Sequence, residues 1–502
     1  MTKSQTPIPN QAPMSNSPSG IGHFLLVWSL VLSPLSFSYG CTIGAFGPGA
    51  TVDGRPILWK NRDVTNQDQE MMFFQGERYK YVTNVYAGDT ANAWAGYNEV
   101  GFAIMNSNSF NIIDRNDGGA DDGTIMKTAL ATCATVDDFG RLMDSLDSTS
   151  NGRTTPANFG VFDSTGMTAI FEASNLYYVR YNAQDESLGL LIRANYSMSG
   201  SPSRQTGRER WERAMELVVP ARQRNRIDAR FVIQTLTRDL GAKGFNPYPL
   251  PYEGRVGELP FGYLPTDSSL ARHSTRSAEI MVGPRPGART GSGMMWMVLG
   301  PPEVSLPVPV WVQAGPVPEL LNGPERALFC DEAIQLHGYV HSDPTYPAAA
   351  NTFRLRELYD SFASVESAIF ALVESSEARW GPTGPTPEQA RSVTLQACDS
   401  VLAAYINFWD YVNREAQIHR PDGRYGTWQN VTRDTIVLRF PPDARPGSAQ
   451  VFDALGRKVA EMNLTPGQTV VTWEPSGLRS GNYFVVFPSG SGVRQLRFTY
   501  FR

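Results

Sequence analysis

The stretch CTIGAFGPGATVDGRPILWKNRD, Cys41 to Asp63, decides the reading of this chain. It reads as a strand, a turn at Asp53-Gly54, a second strand from Pro56 to Lys60, and then Asn61-Arg62-Asp63. What lies upstream gives Cys41 its meaning. Residues 1–20 are rich in Pro, Ser, Asn and Gln, with Lys3 as the single charge, and an apolar run follows from Ile21 to Phe37. The run is short for a membrane span and suits a signal peptide, with Met14 as an internal candidate start. Residues 1–40 are therefore expected to be removed, leaving Cys41 at the mature N-terminus.

A chain-terminal cysteine combines a thiol with an α-amine whose pKa is about 7.7–8.0, suited to a base near neutrality. One residue then supplies nucleophile and base, and no histidine is required. Two other readings stay open. Cys41 as a lipidated cysteine would be preceded by Ser38-Tyr39-Gly40, which lacks the apolar residue expected three positions upstream. Cys41 as a half-cystine would draw on Cys133, Cys330 or Cys398 in an oxidising compartment.

Cys41-Thr42, the hairpin and Asn61-Arg62-Asp63, directly after a signal peptide, resemble the opening of the N-terminal-nucleophile (Ntn) hydrolases of the choloylglycine hydrolase and penicillin V acylase type. The isopenicillin N acyltransferase-like hydrolases share this opening. Further on, Tyr97-Asn98-Glu99-Val100-Gly101-Phe102 is similar to the family's second hairpin. The resemblance implies an α+β fold, a four-layer αββα sandwich, with Cys41 as nucleophile and Asp63 orienting its amine. It implies oxyanion donors at Asn108, with Asn106 as the alternative, and at Asn195. It also implies an inward arginine early in the helix around Trp211: Arg210, or Arg208 if the register differs. Where the family carries Arg three residues before the Asp, this chain has Lys60. Either Lys60 or Arg62 can keep a cation by the sulfur, because residues 60 and 62 of one strand share a face. The implied reaction is cleavage of a small-molecule linear amide, or transfer of its acyl group, through a thioester and without a cofactor. A catalytically inactive binding protein on the same fold is the alternative.

The remaining pattern is consistent with a large first domain over 41–425. Strands alternate from Tyr79 to Ser109, with a turn at Asn98-Glu99. Helices are expected over Gly123 to Thr132 and Thr135 to Leu146, the second with a Thr135/Asp138 capping box, and Cys133 between them reads as buried and inert. Strands follow at ANFGVFD, GMTAIFEA, LYYVRYN and LGLLIRANYS. Helices are then expected around Trp211 and over Arg226 to Leu240, strands at SAEIMVG, GMMWMVLG and VPVWVQAG, and long helices over Asn351 to Glu374 and Pro387 to Ala416. Cys330 and Cys398 are a candidate pair.

The pattern changes around His419 to Thr435. Short alternating strands then suggest a β-sandwich over 433–502. Val451-Phe452-Asp453-Ala454-Leu455-Gly456-Arg457-Lys458-Val459, Ser476 to Phe484 and the final strand Gln495 to Tyr500 resemble a type IX secretion sorting domain. That resemblance implies secretion machinery as a partner and a secreted or cell-surface location. The usual Tyr-Pro-Asn-Pro opening is missing, so an adhesive or carbohydrate-facing sandwich stays open. With 502 residues, 41% hydrophobic and 19% charged, the chain can bury a large core. A net charge of −5 with no basic cluster argues against a nucleic-acid partner.

Overall fold

The computed structural model describes residues 40–112, 119–149, 152–154, 156–323 and 326–418, then 431–432, 436–440 and most of 445–500. The leader expected before Gly40 and the change of pattern over 419–430 lie outside these residues.

The first strand, β1 (Thr42–Phe46), turns at Gly54, where φ is +71° and an L side chain would be strained, and returns as β2 (Ile57–Asp63). The second strand thus runs three residues beyond Lys60, through Asn61-Arg62-Asp63. A meander follows: β3 (Gln69–Gln75), β4 (Lys80–Tyr86), β5 (Ala95–Asn98) and β6 (Ala103–Asn108). Then come α1 (Asp122–Thr132) and α2 (Val136–Asp147), the latter opened by the Thr135/Asp138 capping box. Strands β7 (Ala157–Phe162), β8 (Thr168–Ala173), β9 (Tyr178–Asn182) and β10 (Leu190–Arg193) precede α3 (Arg208–Gln223).

Within the helix expected over Arg226 to Leu240 the chain is helical from Ala229 to Leu236 only, an α turn, α4 (Ala229–Phe231), running on into a wider π-helical turn over Val232–Leu236. Ile227, Val232, Ile233, Leu236 and Leu240 of this stretch are buried. Leu240 N–H, however, donates to the Tyr248 hydroxyl, and the chain leaves the helical path. Next come β11 (Tyr263–Pro265), β12 (Thr275–Val282), β13 (Met294–Leu299) and β14 (Val308–Val310). Helix α5 (Leu328–Val340) lies in a stretch to which the sequence assigned no element; β15 (Ala349–Asn351) pairs with β11. Helices α6 (Thr352–Trp380) and α7 (Pro387–Ile418) both run slightly past their expected ends.

Among the described residues, two antiparallel sheets form the middle of the body, ordered β10-β1-β2-β12-β13-β14 and β3-β4-β5-β6-β7-β8-β9. Leu58, Met281 and Met297 of the first share one buried cluster with Val82, Tyr97, Met105 and Phe162 of the second. Helices close both outer faces. On the first sheet, Trp296 packs on Phe370 of α6, ring centroids 5.1 Å apart, and Ala214 and Val218 of α3 join the same core. On the second, Phe139 of α2 sits against Phe159 and Phe171 at 5.7 and 5.0 Å. Each such side chain buried contributes about 1.5–3 kcal/mol. The architecture is α+β, in four layers αββα.

A small all-β region with its own core follows, built from β16 (Val431–Thr432), β17 (Ile436–Arg439), β18 (Gly447–Asp453), β19 (Lys458–Leu464), β20 (Val470–Trp473), β21 (Gly481–Ser489) and β22 (Gly492–Tyr500). One sheet has the order β16-β22-β21-β18-β19 and the other pairs β17 with β20. The four cysteines are free thiols, so the Cys330–Cys398 pairing is not formed.

Candidate functional site

Antiparallel pairing brings the site together at one end of the first sheet. Because β1 runs opposite to both β2 and β10, its start lies beside their ends, with Thr42 opposite Asn61 and Ile43 opposite both Lys60 and Arg193. Cys41, Asp63 and Asn195 therefore converge. The end of β6 adds Asn108, whose carbonyl accepts a hydrogen bond from Asn195 Nδ2 (3.1 Å).

Arg210 is the hub. Its Nη1 donates to the carbonyls of Gly40 (2.7 Å) and Cys41 (3.0 Å) and to Thr42 Oγ1 (2.8 Å), while Nη2 donates to Asn195 Oδ1 (2.6 Å). The guanidinium is buried, and its Nε has no hydrogen-bond partner. Arg208, the alternative, sits on the outer side of α3, paired with Glu212 at 3.0 Å. The helix register thus selects Arg210, two residues along and on the inward face.

Asp63 is buried at the end of β2. Its Oδ1 accepts from Thr275 Oγ1 (2.6 Å), and its Oδ2 lies 3.4 Å from Arg272 Nη1 and 3.8 Å from Arg210 Nη1. Burial pushes the carboxyl up from its ordinary range; Arg210 and then Arg272 pull it back. Its backbone N–H faces the sulfur of Cys41. Arg272 and Thr275 were not singled out in the sequence. They lie more than 200 residues from Asp63, and only the β2–β12 pairing, with Thr275 opposite Asp63, reveals them.

Lys60 and Arg62 do share one face, turned toward the second sheet. Lys60 Nζ donates to Asn106 Oδ1 and to the Trp94 carbonyl, each at 2.6 Å. Asn106 Nδ2 in turn donates to Asp122, so this side chain is committed to a buried network. Arg62 Nη1 donates to Gln69 Oε1 (2.6 Å), and its guanidinium lies 4.3 Å from the Tyr86 ring centroid and 4.9 Å from that of Trp94. Asn84 joins Ser277 and Glu279 in the same seam.

Cys41 is partly exposed. Burial of its thiol raises the pKa above the usual value; Lys60 is the strongest opposing influence, Asp63 adds to the rise, and Arg62 opposes it. The expected cations are therefore present, but in this chain, where Gly40 is still attached, desolvation outweighs them. Asn195 also presses on Gly40: a Cβ built there would lie 1.7 Å from Asn195 Oδ1.

A cleft of about 440 Å³ lies at the other end of the β1–β2 hairpin, among Arg55, Arg285, Glu377 and Trp380. Arg55 and Glu377 neutralise one another there at 2.9 Å, and the lining holds no cysteine.

Residues 50–218 match the family model for acyl-coenzyme A:6-aminopenicillanic acid acyl-transferase. The match begins after Cys41 and spans Lys60, Asp63, Asn108, Asn195 and Arg210. No curated protein matches the chain. Solved structures similar to it include conjugated bile acid hydrolase from Clostridium perfringens, at 12% identity and TM-score 0.33, covering 52% of this chain and 89% of that one. Penicillin V acylase from Agrobacterium tumefaciens shows 14% identity and TM-score 0.33 over 54% of this chain and 86% of its own. Penicillin G acylase from Alcaligenes faecalis shows 10% identity and TM-score 0.31 over 91% and 89%.

Proposed function

We propose that this chain is an exported Ntn-type amidase that cleaves a linear amide C–N bond, or transfers its acyl group, through a thioester on Cys41 once residues 1–40 are removed. The observation that carries this reading is the Arg210 guanidinium, which grips the carbonyls on both sides of the Gly40–Cys41 bond while holding Asn195 over it. The family match over residues 50–218 supports acyl-transfer chemistry of this class.

In this reading the freed α-amine takes the thiol proton, and the thiolate attacks the substrate carbonyl. Asn195 and Asn108 stabilise the oxyanion, donors of this kind contributing about 2.7–4 kcal/mol each. Collapse breaks the C–N bond, and the leaving amine receives the proton from the α-ammonium. Water, or an acceptor amine in a transferase, then attacks the thioester and restores the thiol. Asp63, fixed by Thr275 and Arg272, orients the amine, and Lys60 with Arg62 favours the thiolate. The C-terminal β region serves as the export signal read by secretion machinery.

The test is a panel of N-acyl amides and amino-acid conjugates offered to purified protein whose N-terminus has been sequenced. Active protein should begin at Cys41 and release the free amine, and Cys41→Ala should abolish release. Full activity in protein that begins upstream of Cys41, or in Cys41→Ala, would overturn the assignment of the nucleophile, and no amine release by protein that begins at Cys41 would favour a binding protein on the same fold.

A further inference from the structure

Away from Cys41, three side chains with metal-ligating atoms converge without a purpose in the chemistry above. His337 and His341 lie one turn apart at the end of α5 and share a face, the i, i+4 spacing by which a helix presents two imidazoles to one ion. Their rings stack with centroids 4.0 Å apart. Glu303, in the turn after β13, points between them: its Oε1 is 2.6 Å from His337 Nδ1 and 3.8 Å from His341 Nε2, and one donor atom from each of the three lies within 4.8 Å of the others.

A simple Glu303–His337 hydrogen bond does not account for the rest of the cluster. The side chains of Glu303 and His341 are only 1% and 3% exposed, yet Glu303 Oε2 and both ring nitrogens of His341 have no hydrogen-bond partner. The Pro347 carbonyl faces His341 without reaching hydrogen-bond geometry. Unpartnered buried polar atoms are costly, and three in one cluster point to a missing ligand. Arg238, which lines the adjoining cavity, is engaged by Glu366 at 2.7 Å and does not neutralise Glu303.

We propose that Glu303, His337 and His341 form a binding site for a divalent transition cation of the zinc class, with the fourth position open to water. A tetrahedral ion with bonds of about 2.0–2.1 Å sets its donors about 3.4 Å apart, and the two observed separations of 2.6 and 3.8 Å straddle that value. Two imidazoles and one carboxylate form a ligand set suited to zinc. Glu303 also lines a cavity of about 210 Å³ with Gln234, Arg238, Tyr359 and Glu366.

The experiment uses tag-free full-length protein stripped with a chelator and titrated with zinc chloride, followed by calorimetry and by metal analysis after dialysis. One zinc ion per chain is expected, with a rise in melting temperature. Glu303→Gln combined with His341→Gln should weaken binding by about 100-fold or more, since even outer-shell partners are worth 10–100-fold. Zinc K-edge absorption of the wild type tests the same site without any variant and should show imidazole scattering and no sulfur. No zinc uptake, unchanged affinity in the double variant, or a sulfur shell from Cys41 or another thiol would each overturn the proposal.

Discussion

At Cys41 two opposing influences act on one sulfur, and their balance is measurable. The folded thiol titrates above its ordinary value because burial outweighs Lys60 and Arg62. The protonated form is therefore the one the fold favours, and that contribution to stability fades as pH rises through the folded value. In the chain that retains Gly40, iodoacetamide labelling of Cys41 should rise with pH through a midpoint above that of a free thiol. Lys60→Met should move the midpoint further up, and labelling at pH 8 should slow by about tenfold for every pH unit that the midpoint climbs. Cys41 should still label ahead of the other thiols: Cys133, Cys330 and Cys398 are buried, and desolvation pushes the first two to about 11 and about 12. A mass-spectrometric time course gives all four rates; equal rates would mean that Cys41 is no more accessible than the buried thiols, and an unmoved midpoint in Lys60→Met would mean that this charge does not act on it.

At the scale of single elements, helix α3 carries the sharpest contrast. Arg210 makes four hydrogen bonds with one planar fork, whereas Arg208, half a turn away, makes its bonds at the surface. A lysine cannot reproduce that fork. Arg210→Lys should lower amide turnover by about 10²-fold or more, in line with the loss of one preorganised donor. Arg208→Lys should leave turnover unchanged, as steady-state kinetics on the two variants would show. The sequence could not separate these residues because nothing between Asn195 and Trp211 fixes the helix phase. It did reveal the hairpin, the meander and the capped α2, where turn residues and alternation act locally. It missed α5, whose flanks are rich in Pro and Gly, and it over-extended the segment after Arg226, where a tertiary contact from Tyr248 redirects the chain. Arg272 and Thr275 were illegible for the same reason: their meaning exists only through a pairing with β2 made across 200 residues.

For the whole molecule, the core of the β region is formed by residues between Ile436 and Phe487, distinct from the clusters that hold the four layers. A domain with its own core folds by itself. A chain ending near residue 430 should therefore keep the far-ultraviolet circular dichroism of the αββα body and its amide turnover, while export from cells is lost. Normal export of the truncated chain, with loss of binding to cells or polymers, would make the β region an adhesive module. The body's two sheets also meet through a seam of Lys60, Arg62, Gln69, Asn84, Asn106 and Glu279, so their relative position is fixed by directional bonds as well as by apolar contact.

The close approach of Asn195 to Gly40 bears on how the protein can be made. Asn195 is pinned from both sides, by Arg210 and by the Asn108 carbonyl, and cannot easily step aside. A recombinant gene that starts the chain with methionine in place of Gly40 would put a Cβ within 1.7 Å of Asn195 Oδ1. On the proposed mechanism, such a preparation would be active only in molecules from which the initiator had been trimmed. Its specific activity would then report the efficiency of trimming in the expression host, not the quality of the enzyme.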